Sequence, residues 1–139
     1  MIYLIGSLRN PKIPLIANQL RKSLKEEIFD DWYSPGSNTD EEWQKYESLR
    51  GRKFKEALEG FHAREVFEFD QKHLDRANAA VLILPCGKSG HMELGYIIGN
   101  EKPGYILLPG EPERFDVMYG FATEICTSIK ELIKCLKRK

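Results

Sequence analysis

The segment Gly87-Lys88-Ser89-Gly90-His91-Met92-Glu93 follows an unbroken apolar run, Ala79-Ala80-Val81-Leu82-Ile83-Leu84, closed by Pro85 and Cys86. Glycine behind a strand lets the backbone fold tightly over a ligand. Glu93 then falls in the first turns of the helix that follows, aimed back at the crevice, where the helix dipole favours its ionised form. An ionised carboxylate is what nucleophilic attack at an anomeric carbon requires. A carboxylate that merely complements the dipole occupies the same place, since acidic residues are enriched in first turns. By position alone, that plainer role is the commoner one.

A second loop, Gly6-Ser7-Leu8-Arg9-Asn10, closes the opening apolar run Ile2-Tyr3-Leu4-Ile5. Gly6 admits a ligand to the backbone, Ser7 offers a hydroxyl, and Arg9 offers a fork of donors suited to phosphate or carboxylate. Gly-Ser pairs also mark plain turns, with Arg9 then simply solvated. Asp70 is the other carboxylate of interest, placed before Leu74 and Ala77 on the helix that leads into the apolar run. Taken alone it reads as a solvated helical residue. Trp32 and Tyr33, after Asp30 and Asp31, have flat faces that can stack on a base or pin their loop to the body. His91 lies beside the glycine loop and is a candidate ligand contact. His62, His73 and His91 show no zinc spacing with one another or with Cys86, Cys126 and Cys135, so no metal and no cofactor is expected. Neither a dinucleotide fingerprint, a phosphate-binding Walker loop nor a Gly-x-Ser-x-Gly elbow is present.

Alternating strands and helices must position these residues. After Ile2 to Ile5, Leu15, Ile16, Leu20 and Leu24 recur at helical spacing, with Pro14 suited to a first turn. Ile28-Phe29 reads as a short strand and Asp30 to Asp40 as a loop. Two helices are expected over Glu41 to Glu59 and Phe61 to Arg76, with Val66, Phe67, Phe69 and Leu74 facing inward. Ala79 to Leu84 suits the centre of a parallel sheet. A helix over His91 to Asn100, a strand over Tyr105 to Leu108, a short helix over Phe115 to Phe121, a brief strand at Ile125 and a last helix capped by Ser128 complete the pattern. This predicts one α/β domain over residues 1–139: a doubly wound, Rossmann- or flavodoxin-like, mostly parallel five-stranded sheet flanked by helices. Ligands of such sheets bind beyond the carboxyl ends of the strands.

Composition excludes some classes. Lys plus Arg is 21 and Asp plus Glu is 21, and without a basic excess non-specific binding to a nucleic-acid polymer has no driving force. The basic tail from Lys134 to Lys139 reads as a solvated helix end. Three cysteines without Cys-x-x-Cys spacing fit a reducing compartment better than a disulfide framework, each thiol being read as buried or idle. No apolar stretch reaches membrane-spanning length and no signal peptide is recognisable, so a cytoplasmic protein is expected.

The chain resembles the nucleoside 2-deoxyribosyltransferase family, including its branch of deoxynucleoside 5′-monophosphate N-glycosidases. Four segments carry the resemblance: Ile2-Tyr3-Leu4-Ile5-Gly6-Ser7-Leu8-Arg9; Asp70 with Leu74, Ala77 and Val81-Leu82-Ile83; Gly90-His91-Met92-Glu93-Leu94-Gly95-Tyr96 with Lys102-Pro103; and Asp116-Val117-Met118. The resemblance implies that Glu93 attacks the anomeric carbon of a (2′-deoxy)nucleoside or its 5′-monophosphate and holds a covalent glycosyl intermediate. The sugar then passes to another free nucleobase or, in the hydrolytic branch, to water. Asp70 would orient and protonate the departing base and Tyr3 would hold Glu93. Asp116 and Met118 would reach a neighbouring subunit's site, making the protein a homodimer or larger assembly. Gly87 stands where the transferases carry an Asp that contacts the base, so base recognition must differ. Gly6 to Arg9 looks like the hydrolases' phosphate loop, which Ser89 would assist, whereas Asp116 stands where those hydrolases have Ser. A rival reading from another class is a nucleotide-binding sensor that keeps the fold without turnover.

Overall fold

A computed structural model of the chain describes residues 1–138; of the basic tail, Lys139 lies outside the described residues. Five strands, β1 (Ile2–Ile5), β2 (Ile28–Phe29), β3 (Ala79–Ile83), β4 (Gly104–Leu107) and β5 (Glu124–Cys126), form one sheet in the order β2-β1-β3-β4-β5. Every pairing is parallel. Six helices flank it: α1 (Ile13–Ser23), α2 (Thr39–Leu49), α3 (Phe54–Ala57), α4 (Phe61–Arg76), α5 (Lys88–Gly99) and α6 (Ile129–Arg138). Two 3₁₀ turns, Asp31–Tyr33 and Val117–Phe121, lie in the connections. The expected doubly wound α/β architecture is present, and strand order reverses between β1 and β3, where such sheets open their ligand crevice.

β1, β3 and β4 are buried on both faces because each strand alternates its side chains between two cores. Ile2, Leu4, Val81 and Ile83 pack with α1 and α6 residues such as Ile13, Leu20, Leu132 and Leu136. Tyr3, Ile5, Ala80 and Leu82 face the other way, against Leu74 of α4 and Leu94 and Ile97 of α5. That alternation puts the Tyr3 phenol on the α4–α5 side of the sheet.

Three sequence expectations need correction. The helix expected over Glu41 to Glu59 is two helices, because Gly51 at φ 73 leaves the right-handed helical region. In α4 only Leu74 faces the core; Val66, Phe67 and Phe69 are exposed. The helix meets the core mainly through its C-terminal half, where the Phe69 ring still leans on Phe29, with centroids 5.9 Å apart, although it stays partly open to solvent. α5 begins at Lys88 rather than His91, with Gly87 at its N-cap, so Glu93 lies in the second turn. Ser128 behaves as expected: its hydroxyl accepts from the Glu131 amide at 3.1 Å, as a helix cap does.

Candidate active site

Three side chains from three elements meet on the α4–α5 side of the sheet. The Tyr3 hydroxyl donates to Oε2 of Glu93 at 3.0 Å. Tyr3 is 1% exposed, and its ring leans on Phe29, with centroids 5.1 Å apart. Gly90 allows α5 to sit this close to the sheet: a Cβ there would stand 2.2 Å from Sγ of Cys86, 3.0 Å from Ile5 and 3.1 Å from Leu82. One turn later Glu93 reaches the phenol. Asp70, in the C-terminal half of α4, completes the group, close enough for its charge to act on both Tyr3 and Glu93.

The electrostatics of this cluster differ from the sequence expectation. Burial pushes Glu93 up to about 7, the Asp70 charge pushes in the same direction, and only the Tyr3 hydrogen bond opposes them. The dipole effect is confined to the first turn, and Glu93 lies beyond it. Asp70 is pushed up to about 6 by burial, against a weaker lowering influence from His73. Its Oδ1 is buried without a hydrogen-bond partner among the described residues, an environment that favours the neutral acid. Two carboxyls that both resist ionisation in one site share protons as a pair. Both stand above the ordinary carboxylate range, Glu93 the further of the two, and the Tyr3 hydroxyl is the one group that favours the charged form of Glu93. Burial and both carboxylates hold Tyr3 itself firmly protonated.

The loops at the carboxyl edge place the remaining candidates around this group. Ser7 accepts the Arg9 amide at 3.1 Å, and the Arg9 guanidinium pairs with Glu41 of α2. Ser7 and Arg9 line a hollow of about 340 Å³ with Asn10, Pro85, Cys86 and Gly87. Gly6 sits close under α1: a Cβ there would lie 2.5 Å from Cδ1 of Ile13, and that side chain would have to shift. Gly87 has open space around it, and its carbonyl accepts from Nδ1 of His91 at 2.8 Å. His91 Nε2 then accepts the Tyr119 hydroxyl at 2.9 Å, so the ring joins the start of α5 to the second 3₁₀ turn. Ser89 is exposed in the first turn of α5. Asp116 caps the second 3₁₀ turn through its Oδ1, which accepts from the Met118 amide at 2.8 Å. Asp116 and Met118 line a cleft of about 310 Å³ between that turn and α5, together with His91, Leu94 and Tyr119. That cleft is apolar and excludes Glu93; the carboxylates and their hydrogen-bond donor, not the volume, mark the chemistry.

Neither a family model nor a curated protein matches the sequence. The fold does have a match among solved structures. A 2-deoxyribosyltransferase from the psychrotolerant bacterium Bacillus psychrosaccharolyticus, described as a biocatalyst for the synthesis of antiviral and antitumoral nucleosides, aligns over 95% of this chain and 89% of its own. The TM-score is 0.63 and the sequence identity 18%. This chain has the 2-deoxyribosyltransferase fold.

Within that fold Tyr3, Asp70 and Glu93 form one cluster, while Arg9 and Ser7 on one flank, and His91, Asp116 and Met118 on the other, belong to separate hollows. Trp32 spends its polar handle on the fold: its indole N–H donates to the Leu4 carbonyl at 2.6 Å, so it pins the loop after β2 against β1. Gly90 serves helix packing. Three residues were not foreseen as parts of this region. His73 stacks on Phe29 at 4.2 Å and lies one turn from Asp70, a spacing that could have flagged it. Tyr119 and Glu41 meet His91 and Arg9 across 28 and 32 residues, and no local pattern announces such pairs. Among the described residues no His, Cys, Asp and Glu group is arranged to hold a metal ion, and no helix is long and apolar enough to cross a membrane.

Proposed function

We propose that the protein cleaves the N-glycosidic bond of a (2′-deoxy)nucleoside or its 5′-monophosphate and passes the sugar to another nucleobase through a glycosyl ester on Glu93. The observation that carries this reading is the Tyr3–Glu93 hydrogen bond beside a second carboxyl, Asp70, whose hold on its proton burial strengthens. Tyr3 holds Oε2, which leaves Oε1 to attack C1′. As the Oε1–C1′ bond forms, the C1′–N bond breaks and its electron pair stays with the base, which takes the proton from Asp70. In the second half a nitrogen of an incoming base attacks C1′, the ester bond breaks, Glu93 recovers its charge, and Asp70 accepts the proton the new base releases. Water in place of that base yields free sugar, the hydrolytic outcome. Two carboxyls with opposed protonation is the general division of labour in retaining glycoside chemistry.

The 2-deoxyribosyltransferase fold supports the same reading, as do the four matching sequence segments. The assembly is read as a homodimer or larger. Phe115, Val117, Met118 and Phe121 are 82%, 84%, 60% and 70% exposed, more contiguous apolar surface than a solvated loop ordinarily carries. Asp116 and Met118 on that surface then approach a partner's site. Arg9 beside its hollow is the group that would meet a 5′-phosphate, after leaving Glu41.

The deciding experiment incubates the protein with a deoxynucleoside and a different free base, beside a Glu93→Ala variant. A new nucleoside that the variant fails to make is the expected result. Free sugar and base without exchange select hydrolysis. Undiminished activity in the variant removes Glu93 as nucleophile, and tight binding with no product in either protein selects the sensor. Repeating the assay with the 5′-monophosphate tests Arg9: unchanged affinity in Arg9→Ala excludes it as a phosphate ligand.

A further inference from the structure

At the far edge of the sheet, away from these carboxyls, two of the three cysteines touch. Cys126 closes β5 and Cys135 faces it from α6; they are 0% and 4% exposed, and the Cys126 thiol donates to Sγ of Cys135 at 3.6 Å. Their spacing matches no redox or metal motif, so local pattern does not announce the contact. The groups around Cys135 are polar and charged. Its S–H donates to Oε2 of Glu124. Arg138 donates to the same sulfur at 3.1 Å and to Glu124 at 2.7 Å. Cys126 has no such partners; burial, together with its hydrogen bond to Cys135, keeps it a thiol well above the usual range. The two sulfurs therefore have unequal environments, one beside a cation and a proton acceptor and the other shielded.

We propose that Cys126 and Cys135 form a reversible dithiol–disulfide site that takes a hydroperoxide as its oxidant, with Cys135 as the attacking thiolate and Cys126 as the resolving thiol. Glu124 takes the Cys135 proton and Arg138 faces the resulting thiolate, the kind of neighbour that favours ionised sulfur. The thiolate attacks one peroxide oxygen, the O–O bond breaks, and the leaving hydroxide takes the proton back from Glu124 as water. Cys135 is then a sulfenic acid. The Cys126 sulfur attacks Sγ of Cys135, the S–O bond breaks, and hydroxide leaves with the Cys126 proton as a second water. Two thiols and one hydrogen peroxide thus become one disulfide and two waters. Bond formation needs a sulfur separation of about 2.05 Å, so the pair draws together by about 1.5 Å. The bond would staple the edge strand to the helix that covers it.

The test treats the whole native protein with a small excess of hydrogen peroxide, quenches it, and counts thiols after unfolding. The three cysteines should fall to one free thiol with a mass loss of about 2 Da, the mass of the two hydrogens removed on disulfide formation. Proteolysis between the two positions should leave a Cys126–Cys135 cross-linked peptide that dithiothreitol separates. Cys86→Ser should still form the bond. In Cys126→Ser, dimedone should label Cys135, whereas Cys135→Ser should leave Cys126 unlabelled. Arg138→Gln, a surface change, should slow oxidation about tenfold by removing the cation beside the thiolate. Survival of both thiols while Cys86 oxidises, or a cross-link through Cys86, overturns the site. Dimedone on Cys126 rather than Cys135 overturns the assignment of roles.

Discussion

Tyr3 of the first strand and Glu93 of the fifth helix are joined by a hydrogen bond of 3.0 Å that spans 90 positions of the chain. Tyr3→Phe keeps the ring against Phe29 and removes only the donor. Hydrogen bonds to charged groups contribute about 1.5–3 kcal/mol, so kcat for base release should fall by roughly ten- to a hundredfold. The apparent pKa on the acidic side of the pH–rate profile should rise, because the group that opposes burial at Glu93 is gone. A profile that keeps its position after the substitution argues against Tyr3 as the group that holds the charge on Glu93.

Glu93 and Asp70 also make stability depend on pH. Both carboxyls bind their protons more tightly in the folded chain, Glu93 at about 7 against an ordinary 4.5 and Asp70 at about 6 against 3.8. Between those limits the native state binds more protons than the unfolded one, so stability is fullest below about pH 4 and is lost as pH rises through 6 to 7. Glu93→Gln removes a buried charge and should raise Tm at pH 8 while leaving it near the parent value at pH 4. Thermal melts across that range check the sign. A variant that is less stable at pH 8 shows that the charge is compensated in the fold.

Asp70→Asn should lower kcat by about 10² or more, the usual contribution of a positioned general acid. The loss should shrink on 7-methyl-2′-deoxyguanosine, whose cationic base departs without protonation. Comparing the two substrates separates acid catalysis from a purely structural role, because a distorted site slows both equally.

Gly90→Ala places a methyl group against Cys86 and two core side chains. Overpacking of this kind costs typically 1–3 kcal/mol, and the tilt it forces on α5 should loosen the Tyr3–Glu93 contact. Gly87→Ala, three residues earlier, meets nothing within 4 Å and should leave the denaturation midpoint almost unchanged. Urea unfolding of the pair distinguishes packing at Gly90 from a general intolerance of this loop to side chains.

Val117→Asp should disperse the proposed assembly, since it puts a charge into the most exposed apolar position of the second 3₁₀ turn. Sedimentation velocity reads the change directly, with a dimer or larger species expected for the parent chain. If Asp116 and Met118 serve a partner's site, activity should fall together with assembly.

The architecture was legible in the sequence, whereas Glu93 and Asp70 stood out as candidate carboxylates chiefly through the family resemblance. The apolar runs Ile2–Ile5 and Ala79–Ile83 read as buried strands, because they are short, rich in β-branched and aliphatic residues and closed by Gly6 and Pro85. The glycines around them marked the loops where Glu93 and Arg9 would emerge. Local pattern also placed Glu93 within one turn of its observed position on α5. What it could not determine was the protonation of the site. The helix dipole, legible in sequence, argued for an ionised Glu93, whereas burial and the approach of Asp70, both products of packing α4 and α5 on one face of the sheet, push it the other way. Tertiary structure likewise decided which partners meet over long separations: Tyr119 with His91, Glu41 with Arg9, Cys135 with Cys126. Periodicity describes which face a residue takes within its own element. Desolvation and cross-element contacts depend on which faces the folded chain presses together.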